Sequence, residues 1–296
     1  MKLFRASSLF LSLLGAAACE RAKVPPRVET ATAGPLSPTD SAVVATTRNW
    51  DASAGPVLLV ASSTPAEALV ITPDSANVAS QFASIPRPAS VALFGRNGSV
   101  QTADLPSVAG DNCATGKLSA APPPRPWSVG FVGGVVAPIP VDSTESLSPA
   151  DSSRLVVAVA RLASALPNDT AGRFVGLPFV VRNLWRFSLA GGPTVVIATV
   201  SRQINQEATP LQEHTLLVAE RTAKDTTLHT AYTERSYGAE ETIETYDVLA
   251  AAMIGAGRTP AIILSRDYGD ATAFGLIERG EDGRWRPRWR SARRHC

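Results

Sequence analysis

Residues 184–202 are LWRFSLAGGPTVVIATVSR, two runs of branched and aromatic residues separated by a Gly-Gly-Pro turn. Such residues favour strands, and a glycine turn between two strand-like runs favours antiparallel pairing. Two further runs follow, HTLLVAER (214–221) and LHTAYTERS (228–236). We therefore predict a four-stranded antiparallel meander in this part of the chain.

The same order of features recurs further along. The second series consists of VLAAAMIGAGR (248–258), PAIILSRD (260–267), TAFGLIER (272–279) and RWRPRWRSA (284–292). Each series has an apolar strand, a glycine turn, a strand ending in Ser-Arg, a strand ending in Glu-Arg and an amphipathic strand. The repeat predicts a second meander. Only DVLAAAMIGAG (247–257) is ambiguous, because its alanines also permit a helix.

The region from Leu184 to Ala292 weakly resembles FG-GAP-type β-propeller blades, in which a strand meets a glycine turn that often carries calcium-binding acids. Here the corresponding turn is Gly255-Ala256-Gly257-Arg258, which has no acids. The resemblance therefore implies blade-like geometry without calcium binding. A β-sandwich, or an α+β domain with a helix packed on a sheet, is equally compatible with the pattern.

One helix is predicted near residues 148–166. Ser148 is a capping residue, Pro149 stands at the first helical position, and Asp151 lies three residues after the cap. Leu155, Val159, Leu162 and Leu166 then recur on one face. We interpret this segment as a packing helix within a mainly β fold.

Short apolar runs precede that helix. PVLLVAS (56–62) and EALVIT (67–72) predict two strands, and Asn97-Gly98 predicts a hairpin between SVALFG and SVQTAD. We expect one β-rich globular region at 43–296, and its division into 43–147 and 148–296 is the alternative.

The N-terminus has the pattern of a secretory signal peptide at residues 1–18. Lys2 and Arg5 precede the apolar run 6–18, which is shorter than the about 20 residues that span a bilayer. Ala16-Ala17-Ala18-Cys19 resembles the lipobox of bacterial lipoproteins, although Ala16 stands where a branched aliphatic residue is usual. The resemblance implies lipidation of Cys19. Ordinary cleavage, giving a soluble secreted protein, is the alternative.

Residues 19–42 follow as a flexible linker rich in proline, threonine and alanine. Behind a lipidated cysteine, such a linker would hold the folded region off a membrane. We therefore expect an exported protein whose first partner is the membrane of the bacterial cell envelope.

The net charge argues against a nucleic-acid-binding protein, and the number of cysteines fits an exported protein with one disulfide. The formal net charge is +2, and removal of residues 1–18 leaves 26 basic and 26 acidic side chains, so no nucleic-acid partner is expected. If Cys19 carries lipid, Cys113 and Cys296 remain as an even pair in an oxidising compartment. A disulfide between them is predicted, with a reactive thiol at Cys113 as the alternative.

The sequence has no recognisable catalytic or metal-binding motif: we find no G-x-S-x-G elbow, no Ser-x-x-Lys pair, and no H-x-x-x-H or C-x-x-C spacing. We predict no cofactor and no metal. His214 and His229 are the candidate general bases if the protein is an exported hydrolase.

The C-terminal strand RWRPRWR is the most unusual local feature. If this strand is regular, Trp285, Pro287 and Trp289 share one face. The opposite face would then carry Arg284, Arg286, Arg288 and Arg290. This face could bind a polyanion or anionic lipid, or it could pair with acids such as Glu278 and Glu220 on adjoining strands.

The leading functional hypothesis is a non-catalytic binding or scaffolding lipoprotein of the cell envelope. An exported hydrolase and a polyanion-binding protein are the two alternatives.

Overall fold

The computed structural model describes residues 58–71, 87–110, 113–133, 135–167, 172–204 and 210–296. The signal peptide predicted at 1–18, Cys19 and the linker predicted at 19–42 lie outside this part of the chain. All of the described residues belong to one compact unit. None of the helices in the described ranges is long and apolar enough to cross a membrane.

The fold is mainly β, as the sequence predicts. The strands of the described residues are β1 (Leu58–Ala61), β2 (Glu67–Ile71), β3 (Ala89–Phe94), β4 (Gln101–Leu105), β5 (Val108–Ala109), β6 (Thr115–Lys117), β7 (Val129–Val132), β8 (Val136–Ile139), β9 (Asp142–Ser143), β10 (Val180–Ser188), β11 (Thr194–Ile204), β12 (Leu211–Arg221), β13 (His229–Ala239), β14 (Thr245–Ile254), β15 (Thr259–Asp267), β16 (Thr272–Arg279) and β17 (Trp285–Arg290). They form three antiparallel sheets.

The first sheet has the strand order β4-β3-β7-β1-β2-β6-β5. Its β3–β4 hairpin turns at the predicted Asn97-Gly98, where Gly98 has φ +72°. After β6 the chain returns to β4, and Ser119 exchanges two backbone hydrogen bonds of 2.8 Å with Asp104. This bridge joins the two sides of the sheet, so the sheet curls strongly.

The two predicted meanders are confirmed. Strands β14 to β17 pair in sequence order and, with β8, form what we call the second sheet. Strands β10 to β13 also pair in sequence order and, with β9, form the third sheet. The ambiguous segment 247–257 contributes strand β14. Here Ala250, Ala252 and Ile254 point into one core while Ala251 and Met253 point into another, an alternation that only a strand provides.

Two short strands connect the first sheet to the meanders. β8 pairs with β14, and β9 pairs with β10. The segment between the first sheet and the helix therefore adds an edge strand to each of the other two sheets.

The helix α1 (Pro149–Ser164) begins at the predicted cap, where the Ser148 side chain accepts a hydrogen bond from the Asp151 backbone. Its buried residues are Leu155, Val159 and Ala163. The small Ala163 is buried where the sequence favoured Leu162, which is half-buried at the edge of the core.

The sheets are stacked in layers around shared cores. The inside of the curled sheet is filled by Leu59, Val91, Leu93 and their neighbours. Its outer face packs on the second sheet, where Phe131 shares a cluster with Ile263. The other face of the second sheet packs on the third sheet, and α1 covers the far side of the third sheet.

Candidate ligand-binding cleft

A cleft with a volume of about 620 Å³ lies along α1 at the edge of the third sheet. The helix contributes one face to the lining: Asp151, Arg154, Leu155, Ala158, Arg161, Leu162 and Ala165. These positions recur every three or four residues, which places them on one stripe of a helix. At 1.5 Å per residue, the stripe is about 20 Å long. The volume lies in the range of small-molecule pockets.

The floor of the cleft is apolar. Leu155 belongs to the buried cluster between α1 and the third sheet, while Leu147, Leu162 and Leu228 are half-buried and pack against that cluster. All four leucines also line the cleft. The floor is therefore a partly uncovered edge of the core, where a ligand can bury apolar surface.

The rim of the cleft is basic. Four arginines line it, Arg154, Arg161, Arg186 and Arg221, against the single carboxylate of Asp151, so the lining has a formal charge of +3 (four minus one). Such an excess of one sign in a concave site attracts ligands of the opposite charge.

Two of these arginines are paired with acids. Arg154 Nη2 lies 2.7 Å from Asp151 Oδ1, and Arg186 Nη2 lies 3.2 Å from Asp142 Oδ2. The hydrogen bond from Ser148, followed by the charge of Arg154, holds the pKa of Asp151 below its ordinary value. Asp151 therefore remains ionised as the partner of Arg154.

The other two arginines have no such partner. Within the described residues, no carboxylate lies within 4.0 Å of the side chain of Arg161 or Arg221. Arg161 is exposed and Arg221 is half-buried. Their guanidinium groups remain available to an anionic ligand.

The sequence predicts α1 as a packing helix, and no cleft along it was expected. The available signal was the spacing of Arg154 and Arg161, which lie seven residues, or two turns, apart on one face. Arg186 and Arg221 come from β10 and β12, and only the tertiary fold brings them to the helix.

The C-terminal arginines are not gathered on one face of their strand. Strand β17 has a register shift opposite Leu276 and Ile277, which leaves Arg288 as an extra residue. Arg286 pairs with Asp282. Beyond the register shift, Arg290 points between the second and third sheets, where its Nη2 lies 2.9 Å from Glu244 Oε1. Arg288 lies 3.7 Å from Glu278, as the pairing alternative expects, and no ion pair of Arg284 occurs in the described ranges.

A buried network of charged side chains links the second sheet to the third, through Arg266 of β15 and Glu234 of β13. Arg266 donates to both oxygens of Glu234 at 2.5 and 2.7 Å and to Glu244 at 2.7 Å. Burial opposes ionisation of Glu234, but Arg266 outweighs it and lowers the pKa of that carboxyl. Burial prevails at Glu244 and raises its pKa above the ordinary value. Both carboxylates accept hydrogen bonds from Arg266, whereas the Nε of Arg266 is buried without a hydrogen-bond partner among the described residues.

The two candidate general bases are in different environments. His214 is half-buried in β12, its Nε2 lies 2.9 Å from Gln212 Oε1, and burial followed by the charge of Arg182 lowers its pKa. His229 is exposed and its Nε2 lies 2.7 Å from Asp225 Oδ2. Neither imidazole has a serine or cysteine side chain among its hydrogen-bond partners in the described part of the chain.

The predicted cysteine pair is joined: Cys113 and Cys296 form a disulfide across a sequence separation of 183 residues. No group of three or more His, Cys, Asp or Glu residues arranged to hold a metal occurs among the residues that the structure describes. Comparison with protein-family models, with curated proteins and with solved structures gave no match to this chain.

Proposed function

We propose that the protein is an exported, lipid-anchored binding protein of the bacterial cell envelope, and that its ligand site is the cleft along α1. The observation that carries the binding role is the cleft itself. It combines an apolar floor with a basic rim, and convergent polar groups around an apolar surface are typical of ligand sites.

Sequence and structure support export in different ways. Ala16-Ala17-Ala18-Cys19 resembles a lipobox, and residues 19–42 have the composition of a flexible tether. The disulfide between Cys113 and Cys296 is of a kind that persists in oxidising compartments. In this proposal, lipid at Cys19 holds the β-rich region near the membrane, and the cleft is open to the surrounding space.

The anchor is tested by the non-reduced intact mass of the protein recovered from producing cells. We expect a chain that begins at Cys19, carries acyl groups and is two hydrogens lighter than its dithiol form. Cys19→Ala is expected to release the protein from the membrane fraction. An unlipidated wild-type chain that is soluble outside the cytoplasm would overturn the anchor.

The binding role is tested by native mass spectrometry of the Cys19→Ser chain purified from the envelope. We expect a non-covalent small-molecule adduct that is lost in Ala158→Trp, because Ala158 lies in the middle of the cleft stripe. Ser153→Trp is the matched control, since Ser153 is exposed on the same helix and does not line the cleft. The binding role would be overturned if neither the Cys19→Ser chain nor its control variant carried an adduct, even after exposure to envelope extract.

A further inference from the structure

We propose that the α1 cleft binds an amphipathic anion, with its apolar chain along the leucine floor and its phosphate or carboxylate group on Arg161 and Arg221. This inference rests on the binding role proposed above and does not depend on the lipid anchor. It assigns a ligand class to the cleft from the distribution of charge and apolar surface along it.

The anionic group binds where the charge of arginine is not already paired with an acid. Asp151 and Asp142 already neutralise Arg154 and Arg186, at 2.7 and 3.2 Å. The charge of Arg161 and Arg221 is uncompensated by carboxylates in the described residues. Guanidinium groups bind phosphate and carboxylate through paired N–H donors. An anionic group should therefore bind most favourably at Arg161 and Arg221.

The apolar part of the ligand follows the length of the cleft floor. Arg161 stands seven residues after Arg154 on a stripe about 20 Å long. Between them the stripe carries Leu155 and Ala158, and Leu147 extends the same surface beyond the helix start. An extended hydrocarbon chain can follow this line, whereas a compact anion such as free phosphate would leave the floor uncovered.

The apolar and charged parts of the ligand reinforce each other in the cleft. Burial of hydrocarbon on the leucine floor contributes about 25 cal/mol per Å² of apolar surface removed from water. The same burial excludes water from the neighbouring guanidinium groups and strengthens their attraction to an anion. A ligand that carries both parts should therefore bind more tightly than either part alone.

The test is calorimetric titration of the complete Cys19→Ser chain, which keeps every residue of the described region. The probe is dodecyl phosphate below its micelle concentration, compared with dodecyl maltoside and inorganic phosphate. We expect dodecyl phosphate to bind at least tenfold more tightly than either. Dodecanoate in a parallel titration distinguishes a carboxylate site from a phosphate site.

Two variants separate the charged and apolar parts. Arg161→Gln with Arg221→Gln should weaken dodecyl phosphate binding at least tenfold and leave dodecyl maltoside binding within twofold. Ala158→Trp should weaken binding of both amphiphiles. The charge-matched control is Arg284→Gln with Arg286→Gln, which should change binding less than twofold because neither residue lines the cleft.

Three outcomes would overturn the inference. One is equal affinity for dodecyl phosphate and dodecyl maltoside, which would leave an apolar groove only. Another is equal affinity for dodecyl phosphate and inorganic phosphate, which would leave an anion site without a role for the alkyl chain. The third is an equal loss of affinity in the Arg284/Arg286 control. If the native adduct is present but dodecyl phosphate does not bind, this inference fails while the proposed binding role stands.

Discussion

Trp285 and Trp289 lie four positions apart in strand β17 but pack in two different cores. Trp285 is buried between the second and third sheets, and Trp289 is buried between the first and second. In a regular strand, side chains four positions apart share a face. The extra residue Arg288 changes the alternation, so the expected common face of Trp285, Pro287 and Trp289 is wrong. One bulge thus lets the last strand fill both cores.

Loss of the Trp285 hydrogen bond should destabilise the interface between the second and third sheets. Trp285 Nε1 lies 2.6 Å from Glu220 Oε1, which Arg279 Nε also approaches to 2.7 Å. We expect Trp285→Phe to lower the free energy of unfolding by about 1–3 kcal/mol, measured in urea. The same substitution in a Glu220→Gln background should cost less, and an equal cost in both backgrounds would contradict the coupling.

Loss of one partner of the ion pair between Arg202 and Glu213 should lower the free energy of unfolding much more than loss of a surface ion pair. Their side chains are 5% and 1% exposed and approach to 2.8 Å. Arg202→Met leaves the carboxylate of Glu213 buried without this partner, and we expect a loss of about 3–5 kcal/mol in urea unfolding.

Arg202→Met with Glu213→Met is the matched control for that prediction. The double variant removes both buried charges and leaves only the more exposed Arg235, which lies 3.8 Å from Glu213, without that partner. It should therefore be clearly more stable than Arg202→Met alone. A double variant that is less stable than the single variant would show that packing of the arginine, rather than the buried charge, dominates. The cation–π contact of Arg202 with Phe179, 4.6 Å from the ring centroid, is one such packing term.

His214 should make stability depend on pH. Burial, followed by Arg182, lowers the folded-state pKa of His214 below its ordinary value of 6.5. The imidazole therefore contributes stability above pH 6.5 that is lost as the pH falls through the folded-state pKa. We expect the free energy of unfolding to decrease between about pH 7 and pH 5, and His214→Gln to flatten this dependence. Gln212→Ala, which retains the histidine, should keep it; an unchanged slope in His214→Gln would contradict the assignment.

The disulfide should be a major source of stability. Its closure spans 183 residues, for which the chain-entropy relation gives about 5 kcal/mol as an upper figure. We expect Cys113→Ser with Cys296→Ser to lower the melting temperature measured by calorimetry. Added reductant should do the same to the wild-type protein and leave the double variant unaffected. If reductant left the melting temperature of the wild-type protein unchanged, this stabilising role of the disulfide would be contradicted.

Gly130 should not tolerate a side chain. A Cβ atom at this position would lie 2.6 Å from Leu93 Cδ2, 3.2 Å from Val91 Cγ1 and 3.3 Å from the carbonyl oxygen of Ala92. Gly130→Ala should therefore destabilise the curled sheet by about 1–3 kcal/mol through overpacking. Gly257→Ala is the control, since its nearest contact would be Thr259 Oγ1 at 3.7 Å. Equal unfolding curves for the two variants would disprove the steric explanation.

Much of the fold follows from local patterns. The β-branched runs 194–202 and 260–267, together with the glycine turns, were sufficient to predict both meanders. The Ser148-Pro149 cap predicted the start of α1, and Asn97-Gly98 predicted the hairpin between β3 and β4. These predictions succeed because strand alternation, helix capping and turn conformation depend on residues close together in the sequence.

The sequence by itself determined the strand and helix segments, the pair of cysteines and the features that indicate export. Only the tertiary structure decided the stacking of the sheets, the separation of Trp285 from Trp289 and the cleft rimmed by Arg161 and Arg221. The physical reason is distance along the chain. A bulge depends on how two strands register, and a cleft forms where side chains from a helix and separate strands meet. Neither leaves a periodic signal in any one segment.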